Sequence, residues 1–169
     1  MKPPRKSENE LILGLVSISD RASKGVYDDR GIPELEAWCR KAITNPLTVH
    51  KRLIADERFD IEKTLRELVD IIGCDLILTT GGTGPSRRDV TPEATRAVLE
   101  REIPAIPQAM IYYSLQITPR AMLSRAVAGT RRNSLILNLP GSEKAARENL
   151  SAVLGALDHA LKMIAGGGH

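Results

Sequence analysis

A loop rich in glycine, hydroxyl groups and charge follows a short apolar stretch near the middle of this 169-residue chain. The apolar stretch covers residues 75–80, and residues 80–89 read Thr-Gly-Gly-Thr-Gly-Pro-Ser-Arg-Arg-Asp. Glycines let backbone N–H groups approach a ligand closely, while hydroxyl and arginine side chains favour an anion. The pattern indicates a phosphate-binding loop, and a tight turn without a ligand is the alternative.

A helix start is predicted directly behind this loop, with Thr91 as N-cap and Pro92 at the first helical position. Strand, anion-ready loop and helix N-terminus is the order in which α/β proteins hold phosphates.

Two other loops carry polar residues at the predicted end of a strand. Ser17, Ser19 and Asp20 end the first strand, and the run Asn138-Leu139-Pro140-Gly141-Ser142 precedes the last helix. Ligands of open parallel sheets bind outside the carboxyl ends of the strands. We therefore expect the three loops to share one ligand if their strands are parallel. An Asx turn in the first loop, and turn plus N-cap chemistry in the last, are the alternatives.

Two aspartates are candidates for the chemistry, each with a simpler alternative. Asp89 could pair with Arg87 or Arg88, and Asp56 is placed as an ordinary N-cap. The functional interpretation makes both of them Mg²⁺ ligands or substrate anchors, since phosphoryl chemistry needs oxygen ligands for a hard cation.

Other reactive side chains give weaker signals. At most one or two arginines are expected to face the ligand, out of Arg87, Arg88, Arg120, Arg125, Arg131 and Arg132. Cys39 and Cys74 are expected to be reduced thiols, and no Cys/His cluster suggests zinc.

The elements that must position these loops alternate between strands and helices. Strands are predicted at 11–18, 47–54, 75–80, 125–130 and 134–139, the last two forming a hairpin. Helices are predicted at 33–43, from Asp56 to a stop at Gly73, at 92–101, at 105–116 and from Ser142 onwards, with Pro104 and Pro107 separating the third and fourth. This alternation predicts one α/β domain over 11–165, with a flexible arm at 1–10 and a tail at 166–169.

Composition narrows the class of protein. Aromatic residues make up 3% and the net charge is +3, so neither base stacking nor a dense basic face supports nucleic-acid binding. No apolar run approaches the roughly 20 residues of a membrane span, and no signal peptide is predicted. We expect a cytoplasmic protein.

Taken together, the three loops resemble the molybdopterin-binding domain, specifically the molybdopterin adenylyltransferase family of molybdenum cofactor biosynthesis. The resemblance runs from about Leu11 to Ile164 and rests on residues 14–23 with Gly25 and Tyr27, on residues 79–92 and on residues 137–142. It implies a three-layer α/β/α sandwich with a mostly parallel sheet, and a homotrimer. The implied reaction is attack of the terminal phosphate of molybdopterin on the α-phosphorus of ATP, giving adenylylated molybdopterin and pyrophosphate.

The resemblance also implies roles for individual residues. Asp56 and Asp89 become the catalytic aspartates and the expected Mg²⁺ ligands. The expected contacts to substrate and nucleotide are Ser17, Ser19, Asp20, Thr80, Gly81, Gly82, Thr83, Gly84, Asn138, Pro140, Gly141 and Ser142. The molybdenum-inserting enzyme is the candidate recipient of the product.

Two other functions compete with this one. A carrier or regulatory paralogue would bind molybdopterin without adenylylating it, although the presence of both aspartates favours the enzyme. A flavodoxin-like nucleotide or phosphosugar binder would need a single phosphate loop rather than three matched ones.

Overall fold

The computed structural model describes residues 9–26 and 28–167. Six strands form one sheet: β1 (Leu11–Ile18), β2 (Leu47–Ile54), β3 (Leu76–Thr80), β4 (Arg101–Glu102), β5 (Ala128–Arg131) and β6 (Ser134–Leu139). The helices are α1 (Asp20–Ser23), α2 (Gly31–Ala42), α3 (Arg58–Arg66), α4 (Thr91–Val98), α5 (Ala105–Leu115) and α6 (Glu143–Ile164). A π-helical turn (Glu67–Ile72) extends α3, and a 3₁₀ turn (Pro119–Leu123) follows α5.

The strand order is β2-β1-β3-β6-β5-β4, with β2, β1, β3 and β6 parallel. The hairpin partner β5 and the short edge strand β4 run antiparallel. The chain leaves β1 toward β2 on one side and later adds β3 on the other, which makes the carboxyl edge of β1 and β3 a topological switch point. The predicted strand at 47–54 and the predicted hairpin are confirmed.

Helices cover both faces of the sheet, which confirms the three-layer α/β/α sandwich. Alternate residues of β1 point to opposite faces, so Leu13 and Leu15 pack with α2, α5 and α6, whereas Ile12 and Val16 pack with α3 and α4. Both cores are almost entirely aliphatic. Full burial of a side chain such as Leu13 stabilises the fold by about 1.5–3 kcal/mol.

Several predicted element bounds were wrong. The helix predicted at 92–101 ends at Val98, because residues 101–102 pair with β5 instead. Pro107 does not separate two helices but lies in the first turn of α5, where the missing N–H costs no helical bond. The strand predicted from residue 125 begins at Ala128. The predicted stop at Gly73 is confirmed, since that residue ends the π-helical turn with φ 75°.

Only part of the predicted arm and of the predicted tail lies within the described residues. Of the predicted arm, only Asn9 and Glu10 lie within the described residues; Glu10 is buried and bonds to Thr48. Residues 1–8, Tyr27 and residues 168–169 lie outside the described ranges.

Cys39 and Cys74 are free and buried, and burial raises the pKa of each thiol to about 12. None of the helices within the described ranges combines the length and apolar character needed to cross a membrane.

Candidate active site

The three predicted loops meet at Gly81. Its N–H donates to the carbonyl of Leu139 at 3.3 Å, which ties the β3 loop to the β6 loop. A Cβ at Gly81 would lie 2.3 Å from the carbonyl oxygen of Ile18, and a Cβ at Gly141 would lie 3.4 Å from the Gly81 Cα. The three backbones therefore touch at the carboxyl edge of the sheet, and glycine at 81 is what allows the contact.

Gly82 is fixed by the start of α4. Its φ is +68°, and a Cβ there would lie 2.3 Å from Thr91 Oγ1 and 3.0 Å from Asp56 Oδ1. Thr91 Oγ1 donates to the Gly81 carbonyl at 3.0 Å, and the Thr91 N–H donates to the Gly82 carbonyl at 3.2 Å. The prediction that Thr91 is the N-cap of α4 was therefore wrong. Thr91 is buried and its hydrogen bonds anchor the glycine loop.

The glycine loop, residues 81–84, keeps free hydrogen-bond donors. Within the described residues, the backbone N–H groups of Gly82, Thr83 and Gly84 donate to no protein acceptor. Successive free N–H groups in such a loop form an anion-binding concavity. This arrangement favours the phosphate-loop interpretation over a simple turn.

Asp56 is locked to the first loop. The Asp20 N–H donates to Asp56 Oδ2 at 2.8 Å, and the Asp56 N–H donates to Asp20 Oδ1 at 3.0 Å. Asp56 is therefore not the predicted N-cap of α3; Glu57 holds that position, and its side chain makes no capping hydrogen bond to the helix. Burial raises the pKa of Asp56 above its usual range, and the charges of Asp20 and Asp89 add to the increase.

Arg88 closes the outside of this pair. Its guanidinium donates to Asp20 Oδ2 at 2.7 Å and to Glu57 Oε1 at 2.9 Å. The hydrogen bond from Arg88 lowers the pKa of Asp20. Arg88 therefore pairs with Asp20 and Glu57. The simpler alternative for Asp89, an ion pair with Arg88, is not formed in the structure.

Asp89 lies at the other end of the glycine loop. Its Oδ2 accepts the Ser86 N–H at 3.1 Å, and a Cβ at Gly84 would lie 2.9 Å from the same oxygen. Since Asp56 borders Gly82 and Asp89 borders Gly84, the two carboxylates flank the row of free N–H groups.

Arg125 clamps this end of the loop. Its Nε donates to the Gly84 carbonyl at 2.9 Å, its Nη2 to the Asp89 carbonyl at 2.6 Å, and its Nη1 to Glu93 Oε1. The Arg125 N–H also donates to the Thr83 carbonyl at 2.9 Å. Sequence reasoning had counted Arg125 among six similar arginines, because nothing near it in the chain marks a contact 36 residues away.

Most of the remaining predicted residues also line or support the site. Ser17 Oγ donates to Asp29 Oδ1 at 3.1 Å, and Thr80 Oγ1 donates to the Pro140 carbonyl at 2.8 Å. Ser19 caps α1, and Ser142 caps α6 by accepting the Ala145 N–H at 3.4 Å, which is the alternative to the predicted ligand contact of Ser142.

Asn138 is the most deeply buried of the predicted contacts. It has no exposed surface, and its Nδ2 donates to Thr79 Oγ1 at 3.0 Å and to Thr95 Oγ1 at 2.9 Å. Its Oδ1 accepts the Val127 N–H at 3.1 Å. The Asn138 side chain therefore holds β6 to its neighbours inside the protein and presents no atom to a ligand.

Two pockets of similar size meet along the glycine loop and share Gly141. One, here called the polar pocket, has a volume of about 440 Å³ and is lined by Ser17, Ser19, Asp28, Asp29, Thr80 and Gly81, among others. The other, the apolar pocket, has about 420 Å³ and extends from Gly82, Thr83, Gly84 and Asp89 to α5, the 3₁₀ turn and α6. Sequence reasoning missed the far walls, which include Asp28 and Asp29 in the first pocket and Ser114, Arg120 and Glu148 in the second, because no local motif marks them.

Comparison with known proteins agrees with this geometry. Residues 14–159 match the family described as "Probable molybdopterin binding domain". The molybdopterin adenylyltransferase of Haemophilus influenzae is 57% identical over 143 residues, which cover 85% of this chain and 73% of the relative. That of Helicobacter pylori J99 is 46% identical over 154 residues, or 91% of this chain and 88% of the relative.

A solved structure extends the comparison to three dimensions. The crystal structure of the molybdopterin biosynthesis enzyme MoaB from Thermus thermophilus superposes with a TM-score of 0.85 at 44% identity, covering 92% of this chain and 97% of that one. The chain therefore belongs to the molybdopterin-binding domain family, in its molybdopterin adenylyltransferase branch.

Proposed function

We propose that this protein transfers AMP from ATP to the terminal phosphate of molybdopterin, giving adenylylated molybdopterin and pyrophosphate. The observation that carries the proposal is the pair of adjoining pockets, of about 420 and 440 Å³, which meet at a row of free backbone N–H groups flanked by two carboxylates. A reaction between two phosphorylated substrates needs two neighbouring sites with an anion-binding boundary between them. The relatives named molybdopterin adenylyltransferase support the same activity.

We assign the nucleotide to the polar pocket and molybdopterin to the apolar pocket. The carboxylates of Asp28 and Asp29 in the polar pocket suit the hydroxyl donors of a ribose. The apolar pocket has Ile111, Ile117 and Leu123 in its walls, which suit the faces of a flat heterocycle. Both phosphate groups then point toward the glycine loop.

The chemistry in this arrangement is mostly positioning. An oxygen of the molybdopterin phosphate forms a bond to the α-phosphorus of ATP, and the bond from that phosphorus to the bridging oxygen of pyrophosphate breaks. The nucleophile is already anionic near neutral pH, so the protein needs no strong general base. The N–H groups of Gly82, Thr83 and Gly84 hold the phosphates in line and offset their repulsion.

The residues present fit Mg²⁺ in company with substrate phosphates. Within the described ranges, no set of three or more His, Cys, Asp or Glu side chains is arranged to hold a metal alone. Mg²⁺ in phosphoryl-transfer sites is commonly bound by one or two carboxylates plus phosphate oxygens, which Asp56 and Asp89 would supply here. When bound, it neutralises charge on the transferring group.

We also propose a homotrimer, as the family resemblance implies. The surface we expect it to bury includes Tyr112 on α5 and Met122 in the 3₁₀ turn, which are 73% and 64% exposed. Sedimentation would test the assembly, and a monomer at micromolar concentration would contradict it. We place the protein in the cytoplasm and propose the molybdenum-inserting enzyme as the recipient of its product.

The proposed activity is tested by incubating the protein with molybdopterin, ATP and Mg²⁺ and measuring both adenylylated product and pyrophosphate. Equal amounts of the two products are expected, and none without ATP. Binding of molybdopterin with no product from the wild-type protein would refute the enzyme and favour a carrier.

A further inference from the structure

The apolar pocket contains a buried hydroxyl that has no partner. Ser114, on α5, is only 8% exposed, and its Oγ is buried without a hydrogen bond to any described residue. The same residue lines the apolar pocket together with the glycine loop. Leaving a polar group buried and unpaired costs about 1–3 kcal/mol.

The fold itself gives no reason for a serine at this position. The Ser114 carbonyl accepts the N–H groups of Ile117 and Thr118 at 3.0 and 2.9 Å, which any residue type would do. Alanine has a higher helix propensity and carries no group that needs a partner. The hydroxyl of Ser114 therefore makes no hydrogen bond within the described fold, and the residue lines a pocket that we assign to substrate.

The same pocket contains one cationic side chain among its described lining residues. Arg120, in the 3₁₀ turn, is exposed and has no carboxylate partner among the described residues. Arg88, Arg125 and Arg131 each form a salt bridge. The lining of the pocket also includes two carboxylate side chains, those of Asp89 and Glu148.

We propose that Ser114 and Arg120 form a recognition site for molybdopterin on the wall contributed by α5 and the 3₁₀ turn. Ser114 Oγ hydrogen-bonds a polar atom of the pterin ring system, and Arg120 pairs with an anionic group of the same molecule. Neither residue takes part in the bond-making step, so both set affinity and specificity for molybdopterin. This inference rests on the proposed function, through the assignment of the apolar pocket to molybdopterin.

The test measures molybdopterin binding without ATP, by equilibrium dialysis with the pterin quantified after oxidation to its fluorescent form, together with the melting temperature of each variant. Ser114→Ala is expected to weaken binding about tenfold, the value of one hydrogen bond, without lowering the melting temperature. Arg120→Gln is expected to weaken binding about tenfold at low salt, and Arg120→Lys is expected to recover most of the loss. Ser151→Ala, at an exposed serine of α6, is the matched control and should bind like wild type.

Other outcomes separate this inference from the proposed reaction. Wild-type affinity in both Ser114→Ala and Arg120→Gln would overturn the recognition site, whatever the turnover. If wild type binds molybdopterin without adenylylating it, while both variants bind weakly, the proposed reaction fails and the recognition site stands. Absence of molybdopterin binding by wild type would refute both.

Discussion

Asp56 and Asp89 flank the same glycine loop but are held in different ways. The Asp56 carboxylate itself accepts the Asp20 N–H at 2.8 Å, so its side chain is part of the connection between two loops. Among the described residues, the Asp89 carboxylate accepts only the Ser86 N–H, three residues away, at 3.1 Å. Arg125 holds the Asp89 backbone instead, through its carbonyl.

The surroundings of the two aspartates therefore have different effects on the two carboxylates. The environment of Asp56 raises its pKa, through burial and through the charges of Asp20 and Asp89. Arg125 fixes the position of the Asp89 backbone, whereas the Asp89 carboxylate contributes little to holding the fold together. A variant at Asp89 therefore reports on chemistry, whereas a variant at Asp56 reports on chemistry and loop structure together.

The largest expected effect is the loss of turnover in Asp89→Ala. We expect kcat to fall by about 10²–10³-fold, because one of the two carboxylates proposed to hold Mg²⁺ beside the phosphates is removed. The melting temperature should change little, since the carboxylate makes one local hydrogen bond. Asp89→Asn serves as the control for shape and should be almost equally inactive; near-normal turnover in either variant would remove Asp89 from the reaction.

Arg125→Ala tests whether the positions of Asp89 and the glycine loop depend on the hydrogen bonds from Arg125. Loss of three side-chain hydrogen bonds to Gly84, Asp89 and Glu93 should misplace the loop and lower kcat about 10–100-fold. Arg125→Lys should recover little, since an ammonium lacks the planar fork that reaches several acceptors. Steady-state kinetics with Arg40→Ala, a surface arginine, as the control would show whether kcat falls; an unchanged kcat would mean that the clamp is dispensable.

The Asp56 side is tested through the pH dependence of stability, measured without Mg²⁺. Because the folded-state pKa of Asp56 is raised, its ionisation destabilises the folded protein above that pKa. Asp56→Asn should therefore melt about 1–4 °C above wild type at pH 7. This advantage should disappear as the pH falls through the raised pKa toward about 4.

Asp70 provides a control of opposite sign. A hydrogen bond from Arg131 lowers the pKa of Asp70, so its charge stabilises the fold above about pH 4. Asp70→Asn should melt below wild type at pH 7, with the deficit shrinking as the pH falls below about 4. Parallel behaviour of the two variants would contradict the contrast between these sites.

Arg88→Ala should have the smallest effect. Its salt bridges to Asp20 and Glu57 are exposed, and such pairs contribute little to stability. We expect a change in melting temperature of at most about 2 °C, with the two hydrogen bonds from backbone N–H groups to carboxylates between Asp20 and Asp56 intact. A large drop would show that Arg88, rather than those bonds, holds the two loops together.

Prediction from the sequence worked where the signal was local. The alternation of apolar runs and helical stripes located the strands of the parallel sheet, and Gly73 and Ser142 marked helix ends correctly. It failed where a polar side chain had a choice of partners. Asp56 and Thr91 both suit an N-cap, yet Asp56 bonds a loop 36 residues away and Thr91 bonds the glycine loop ten residues before it.

The sequence by itself determined the fold class, the three loops at one edge of the sheet and the glycines on which their contact depends. The reason is that hydrophobic period, chain direction and glycine conformation act within a few residues. Only the tertiary structure decided that Asn138 lies inside the protein, that Arg125 clamps the loop and that Ser114, which lines a pocket, keeps an unpaired hydroxyl. Those outcomes depend on which distant groups packing brings within hydrogen-bond reach, and no local pattern encodes that distance.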